Sequence, residues 1–140
     1  MGEFLGQIVE VDLSNGASKA SSFPEVATRN FLAGRGFNVW YLHQHIPPGI
    51  NPLGSENILT ISCGLLTGTE APVSSRLHLN ALSPLTGILG SSNVGGGFGA
   101  NLRSCRIQSL IIRGRAPKPV ILWIDGETVE IRGAQHLWGL

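Results

Sequence analysis

Residues 91–102 read SSNVGGGFGANL, with an asparagine at position 93 and four glycines among the six residues that follow it. The stretch comes after the apolar pair Ile88-Leu89 and opens a run that fits a short helix, Gly95–Cys105. Because glycine has no Cβ atom, it accepts positive φ angles and lets another group approach the backbone closely. Free N–H groups at a helix start are suited to bind phosphate. The stretch therefore predicts either a loop that binds a phosphorylated ligand or a tight strand-to-helix turn without one.

The segments around this loop have the alternation and β-branched content of strands. Asn15-Gly16 and Asp125-Gly126 each lie between two such segments and predict hairpin turns. In the segment 75–82, apolar residues at odd positions are expected to face the core, and Arg76, His78 and Asn80 to face solvent. The predicted strands are 4–13, 17–23, 57–63, 75–82, 88–92, 107–113, 119–124 and 128–132.

Two helices are predicted between the second and third strands. The first begins at Pro24, with Val26, Phe31 and Leu32 on one face, and the second ends near Ile46, before Pro47-Pro48-Gly49. Hairpins combined with two or three helices predict an α+β fold rather than alternating βαβ units. A further helical pattern starts at 134–140 and stops without a cap, so we expect the folded unit to continue beyond residue 140.

The composition sets limits on function. The chain has 140 residues, enough for one domain or part of a larger protein, and only 14% of them are charged. A typical domain has about 25% charged residues, so part of this surface is expected to pack against more protein. The net charge of +1 gives no field that would attract nucleic acid. Cys63 and Cys105 form neither a disulfide framework nor a metal-binding spacing.

Neither a secretory signal nor an apolar run of the roughly 20 residues needed to span a bilayer is present in the sequence. We therefore expect a cytoplasmic protein with free thiols and no membrane partner.

Three segments share the order and spacing of one family. They are GLLTGTEAP at 64–72, SPLTG at 83–87 and SNVGGGFG at 92–99, with Arg76 between the first two. Together with VDLSNG at 11–16 and AQHLWG at 134–139, they extend over essentially the whole chain. In this ordered set the chain resembles the N-terminal domain of aldehyde ferredoxin oxidoreductases.

The resemblance implies a β-rich N-terminal domain, residues 1–140, that binds part of a bis-pterin cofactor holding tungsten or molybdenum. It implies oxidation of a small aldehyde to a carboxylic acid, with electrons passing through a [4Fe–4S] cluster to ferredoxin. The cluster ligands and a second glycine-rich pterin loop are expected in the remainder of the enzyme chain or in another subunit, so this segment alone is expected to be inactive. A homodimer is compatible with the family.

The resemblance also implies roles for four residues. Arg76 matches an arginine between a pterin and the cluster, where a guanidinium can donate several hydrogen bonds in a plane; a surface arginine is the alternative. Asn93 matches the start of the pterin phosphate loop, where its backbone carbonyl can face a magnesium ion, an ion that prefers oxygen ligands. Helix capping is the alternative for Asn93. Gly95 and Gly96 match the glycines whose N–H groups approach the pterin.

Three departures from the family pattern leave the substrate and the metal open. Val94 stands where a small residue is common, Leu82 where a basic residue is usual, and Val73-Ser74-Ser75 where glycines are frequent. Because Val94 is β-branched, it is expected to keep an ordinary backbone conformation.

Two other functions remain open from the sequence. Residues 95–100 contain G-x-G-x-x-A, as in dinucleotide-binding dehydrogenases, although arginines at 113 and 115 stand where such proteins need an acidic residue and could instead accept a 2′-phosphate. A non-catalytic interaction domain, with a purely structural glycine loop, is the second alternative.

Overall fold

The computed structural model describes residues 6–140, so the start of the first predicted strand and the N-terminal segment examined for a secretory signal lie partly outside the described residues. Each predicted strand is present near its expected bounds. The strands are β1 Gln7–Asp12, β2 Ala17–Ser22, β3 Leu59–Cys63, β4 Leu77–Leu82, β5 Leu89–Val94, β6 Ile107–Arg113, β7 Val120–Asp125 and β8 Thr128–Gly133. The helices are α1 Glu25–Phe31, α2 Arg35–His45 and α3 Phe98–Ser104.

Six strands form one sheet in the order β2-β1-β6-β3-β4-β5, and β7 and β8 form a separate hairpin. Neighbours in the large sheet are antiparallel except β1 and β6, which run parallel. The turn at Asn15-Gly16 joins β1 to β2, with Gly16 at a φ of 74° that glycine readily accepts. This mixed sheet confirms the α+β prediction. It argues against the dinucleotide-binding alternative, because a doubly wound fold needs a mostly parallel sheet.

The sheet is covered on both faces around β6. The first five residues of β6 are all buried, as expected for a strand with no solvent-facing side. Helices α1 and α2 cover one face, through a cluster of Ile8, Ala27, Phe37, Tyr41, Leu42, Ile58 and Ile111. Helix α3 and the β7–β8 hairpin cover the other face, through Val9, Val11, Cys63, Leu102, Ile107 and Leu110, with Leu122, Ile124, Val129 and Ile131 packed against them.

Two helical predictions differ from the structure. Val26, Phe31 and Leu32 were predicted to share one face of the first helix, but the helix ends at Phe31, the three residues are 53%, 41% and 58% exposed, and Ala27 is the buried residue of α1. Helix α1 has only seven residues and the chain turns sharply at Leu32, so its small residue rather than its large ones faces the sheet. Residues 134–140 form only a 3₁₀ turn, Gln135–Leu137. In the described part of the chain, no helix is long and apolar enough to cross a membrane.

Strand β5 extends two residues further than predicted and includes Asn93 and Val94. Helix α3 begins at Phe98. Gly97 occupies the N-cap position, and no side chain makes a capping hydrogen bond there. Asn93 therefore does not cap the helix. Asn93 lies in the strand instead because β5 pairs with β4 as far as Val94, which is opposite Leu77. This pairing keeps the segment extended. Val94 has the ordinary backbone conformation that was predicted for it.

Candidate functional site

The structure brings Arg76 and Asn93 together at one end of the sheet. Arg76 Nη1 donates a hydrogen bond to Asn93 Oδ1 at 3.3 Å, and both side chains are exposed. His78 lies directly opposite Asn93 in the β4–β5 pairing. Because side chains alternate along a strand, Arg76, His78 and Asn93 share one face of the sheet. Two of the predicted site residues are thus direct neighbours in an exposed position.

The glycine loop, residues 95–97, continues from this pair into open space. A Cβ atom added to any of its three glycines would meet no atom within 4 Å. Gly96 has a φ of 90°, and its carbonyl accepts a hydrogen bond of 3.2 Å from Ser75 Oγ. The backbone of this loop is therefore open to the close approach of a ligand, and a side chain there would occupy the same space.

The segment 64–72 supports Arg76 from the protein interior. Thr67 is completely buried, and its hydroxyl lies 2.9 Å from the carbonyl of Ser74 and 2.8 Å from that of Arg76. Gly64 N also donates to the Arg76 carbonyl, at 3.2 Å. The Thr67 hydroxyl thus fixes the backbone that carries the Arg76 guanidinium. The threonine is visible in the sequence motif, but its contact with Arg76 depends on how the loop folds back.

A buried polar network lies beneath the site, between α2 and the sheet. Asn38, completely buried, donates from Nδ2 to the His78 carbonyl and to Asn80 Oδ1, both at 3.0 Å. Its Oδ1 accepts a short hydrogen bond from the Ser62 hydroxyl, which lies 2.6 Å from that of Ser109. The prediction that Asn80 faces solvent is wrong, because α2 covers this face of β4. Asn38 of α2 donates a hydrogen bond to the side-chain oxygen of Asn80 there.

Burial and nearby positive charge both act on His78. Burial above all, and then the charges of Arg35 and Arg76, lower the pKa of His78 below its ordinary value of 6.5. The imidazole is therefore neutral at pH 7, with one nitrogen able to donate a hydrogen bond and the other able to accept one. Gly34, just before α2, lies against the His78 ring, a contact that the sequence does not reveal because the two residues are far apart along the chain.

The cysteines have no place in this site. Burial raises the pKa of the Cys63 thiol to about 11, and the thiol contacts the Gly99 carbonyl at 3.4 Å in the core. Cys105 is a partly buried free cysteine beyond the end of α3. Residues 6–140 contain no cluster of three or more His, Cys, Asp or Glu side chains arranged to hold a metal ion.

Val73, in the turn before Arg76, has a φ of 59° and a completely exposed side chain. A β-branched residue is strained in this conformation, at a cost of about 1–3 kcal/mol, and here no burial offsets it. We expect Val73→Gly to raise the free energy of unfolding by about 1 kcal/mol, after the extra flexibility of glycine in the unfolded chain is subtracted. Chemical denaturation measures this. Val26→Gly, at an exposed site in ordinary helical geometry, should instead lower stability. A loss of stability in both variants would contradict the expectation.

Residues 8–140 match the family model described as the N-terminal domain of aldehyde ferredoxin oxidoreductase. The chain is 39% identical, over 96% of its length, to the tungsten-containing aldehyde ferredoxin oxidoreductase of Pyrococcus furiosus, and 40% identical, over 97%, to that of Pyrococcus horikoshii. It spans 22% of the length of each of these relatives.

Two further similar proteins have names that refer to other activities. The WOR-like subunit of an aliphatic sulfonate oxidoreductase from Pyrococcus furiosus is 32% identical over 96% of the chain. In the solved active-site complex BamBC of benzoyl-coenzyme A reductase with 1,5-dienoyl-CoA, one chain superposes with a TM-score of 0.94 at 35% identity. That match covers 96% of this chain and 21% of the other.

Proposed function

The chain belongs to the aldehyde ferredoxin oxidoreductase family, and on this premise we propose that residues 1–140 are the N-terminal pterin-binding domain of a tungsten-pterin oxidoreductase. The chain spans about a fifth of its tungsten-containing relatives. The rest of the site would therefore come from the remainder of the enzyme chain or from another subunit. The observation that carries the proposal is the exposed Arg76–Asn93 pair beside a glycine loop with no atom in the way of a ligand.

The donor set fits a phosphorylated pterin. Backbone N–H groups of Gly95 and Gly96 would donate to phosphate oxygens, and the Arg76 guanidinium would hold the pterin by charge-assisted hydrogen bonds. Open space at the positions where a Cβ atom would stand suits a ligand that must lie against the backbone. The two glycines and Arg76 thus bind and orient the cofactor.

Asn93 is proposed to have two roles. Its side-chain oxygen accepts the hydrogen bond from Arg76 and so orients the guanidinium. Its backbone carbonyl is proposed to face a magnesium ion shared with the pterin phosphates, since magnesium prefers oxygen ligands and commonly combines protein oxygens with phosphate.

When bound, the metal and its pterins would supply the redox chemistry that takes an aldehyde and water to a carboxylic acid, two electrons and two protons. The metal is tungsten by analogy with the named relatives, and molybdenum is the alternative. Electrons are proposed to leave through a [4Fe–4S] cluster, ligated outside this chain, to ferredoxin. The permanent charge of Arg76 would stabilise added negative charge on that cluster. The proposed compartment is the cytoplasm, where the thiols of Cys63 and Cys105 stay reduced.

Analysis of the natural full-length protein tests this function. We expect tungsten or molybdenum with about two pterins per metal, the stoichiometry of the family, and oxidation of small aldehydes coupled to reduction of ferredoxin. The isolated segment of residues 1–140 should show no such activity. Tight NADP binding without metal or pterin would contradict the proposal.

The structural match to the benzoyl-coenzyme A reductase complex favours a second candidate, an oxidoreductase subunit that acts on an aromatic acyl-CoA. Both candidates use the same pterin site, so assays with aldehydes and with benzoyl-CoA on one preparation distinguish them. The mass of the purified particle reports whether the protein is a homodimer or a subunit of a mixed complex.

A further inference from the structure

Arg76 lies just outside the sheet, so the sheet alone does not fix its backbone. Strand β4 begins at Leu77, the next residue, which pairs with Cys63, the last residue of β3. Beyond this pair, the Arg76 carbonyl accepts hydrogen bonds from the Gly64 N–H group at 3.2 Å and from the Thr67 hydroxyl at 2.8 Å. The position of Arg76 therefore depends on the loop that follows β3.

Thr67, in this loop, is held by helix α3, which directly follows the glycine loop. Arg103 of α3 donates a hydrogen bond from Nε to the Thr67 carbonyl at 3.3 Å. One turn earlier in the helix, Gly99 lies against the Thr67 methyl group, and a Cβ added to Gly99 would be 3.2 Å from Thr67 Cγ2. Thr67 thus contacts α3 at two points and the backbone of Arg76 at a third.

The Thr67 hydroxyl serves two carbonyl groups with one proton. It lies 2.9 Å from the carbonyl of Ser74 and 2.8 Å from that of Arg76, and a carbonyl can only accept. The side chain is completely buried, so water does not compete for these contacts, and a hydrogen bond is stronger where the dielectric constant is low. The bond from Ser75 to the Gly96 carbonyl is exposed. The buried hydroxyl therefore contributes more than the exposed one to holding this segment in place.

We propose that Thr67 is a positioning residue, whose hydroxyl holds the Arg76 guanidinium in place beside the glycine loop so that both bind the same cofactor. The hydrogen bond from Arg76 to Asn93 is already long, at 3.3 Å, so a small shift of the Arg76 backbone would break it. A displaced guanidinium keeps its charge but loses the planar alignment of its donors with the ligand. This inference rests on the proposed pterin function for the identity of the ligand, and it adds a buried residue behind the site.

A double-mutant cycle on the natural full-length holoprotein tests this role. We expect Thr67→Val, which keeps the shape of the side chain, to lose pterin about tenfold faster than wild type during dialysis at raised ionic strength, equivalent to ~1.4 kcal/mol of binding. Arg76→Gln should lose pterin at least as fast. Adding Thr67→Val to Arg76→Gln should cause no further acceleration, because Thr67 acts through Arg76. An equal acceleration in both backgrounds would overturn the inference, since Thr67 would then merely support the fold.

Two further variants separate the hydroxyl from the stability of the loop. Thr67→Ser keeps the hydroxyl but loses the methyl group beside Gly99, so we expect a lower melting temperature with pterin retention like that of wild type. Thr69→Val is the matched control, because the Thr69 hydroxyl donates to the Leu66 carbonyl at 2.7 Å, a bond within the same loop that does not involve Arg76. Pterin loss in either variant as fast as in Thr67→Val would overturn the inference.

Gly99→Ala gives a milder test if Thr67→Val does not fold. The added Cβ would press on Thr67 Cγ2, so we expect faster loss of pterin than in wild type. Thr67→Ser removes Cγ2, so the double variant should retain pterin better than Gly99→Ala alone. Pterin retention in Gly99→Ala that Thr67→Ser does not improve would overturn the inference.

If the wild-type protein carries no pterin, the proposed function fails, and crystal structures of the full-length variants decide the positioning role separately. Arg76 Nη1 and Asn93 Oδ1 should move beyond hydrogen-bond distance in Thr67→Val, or in Gly99→Ala if Thr67→Val does not fold, and should stay bonded in Thr67→Ser. An unchanged distance would remove Thr67 from this role.

Discussion

Replacing Gly95 by valine is expected to remove most of the pterin from the purified full-length protein while leaving the fold intact. A side chain at this position meets no protein atom within 4 Å, so the substitution costs the fold little. The same side chain would occupy the space through which a phosphate must approach the backbone. Loss of one hydrogen bond to a charged group costs about 1.5–3 kcal/mol, so we expect cofactor affinity to fall roughly ten- to a hundredfold. Pterin and metal content per protein measure this.

Gly96→Ala adds a test of backbone strain, because Gly96 has a φ of 90°. Gly49→Ala is its matched control, since Gly49 has a φ of 80°, equally open surroundings and a position away from the loop. Both changes should lower stability by about 1 kcal/mol, the cost of a side chain in this region. Only Gly96→Ala should also lower the pterin content. Equal pterin contents in the two variants would count against the loop as the phosphate site.

Asn38→Ala is expected to lower the free energy of unfolding by about 3 kcal/mol. The change leaves Asn80 Oδ1, the His78 carbonyl and the Ser62 hydroxyl with fewer partners in a region closed to water. Buried polar groups without partners cost about 1–3 kcal/mol each, although relaxation recovers part of this. Urea denaturation followed by tryptophan fluorescence gives the value.

A double-mutant cycle separates this network from simple loss of volume. Asn80→Val alone should also be strongly destabilising, whereas Asn38→Ala combined with Asn80→Val should cost clearly less than the sum, because both amides are then absent. Asn30→Ala, at an exposed site on α1, should change stability by no more than about 0.5 kcal/mol. Strict additivity of the two buried substitutions would show that the amides do not depend on each other.

The site residues differ in how far the sequence could predict them. Gly95, Gly96, Asn93 and Arg76 lie in short motifs, and local pattern together with family resemblance was enough to select them. The structure adds that the side chains of Arg76 and Asn93 are hydrogen-bonded to each other. Their roles toward a cofactor remain predictions. Thr67 has a clear place in the motif, but its buried contact with the Arg76 backbone requires the folded loop.

The sequence by itself determined the strands, the two hairpin turns and the position of the glycine loop, because side-chain alternation and Asn-Gly or Asp-Gly turns act over a few residues. Only the tertiary structure decided that Asn93 lies in a strand, that Asn80 is buried and that the start of α2, at Gly34, lies against the His78 ring. Each of these depends on pairing or packing between segments distant along the chain. Such contacts form when the sheet closes and α2 covers it, and no local pattern of residues records them.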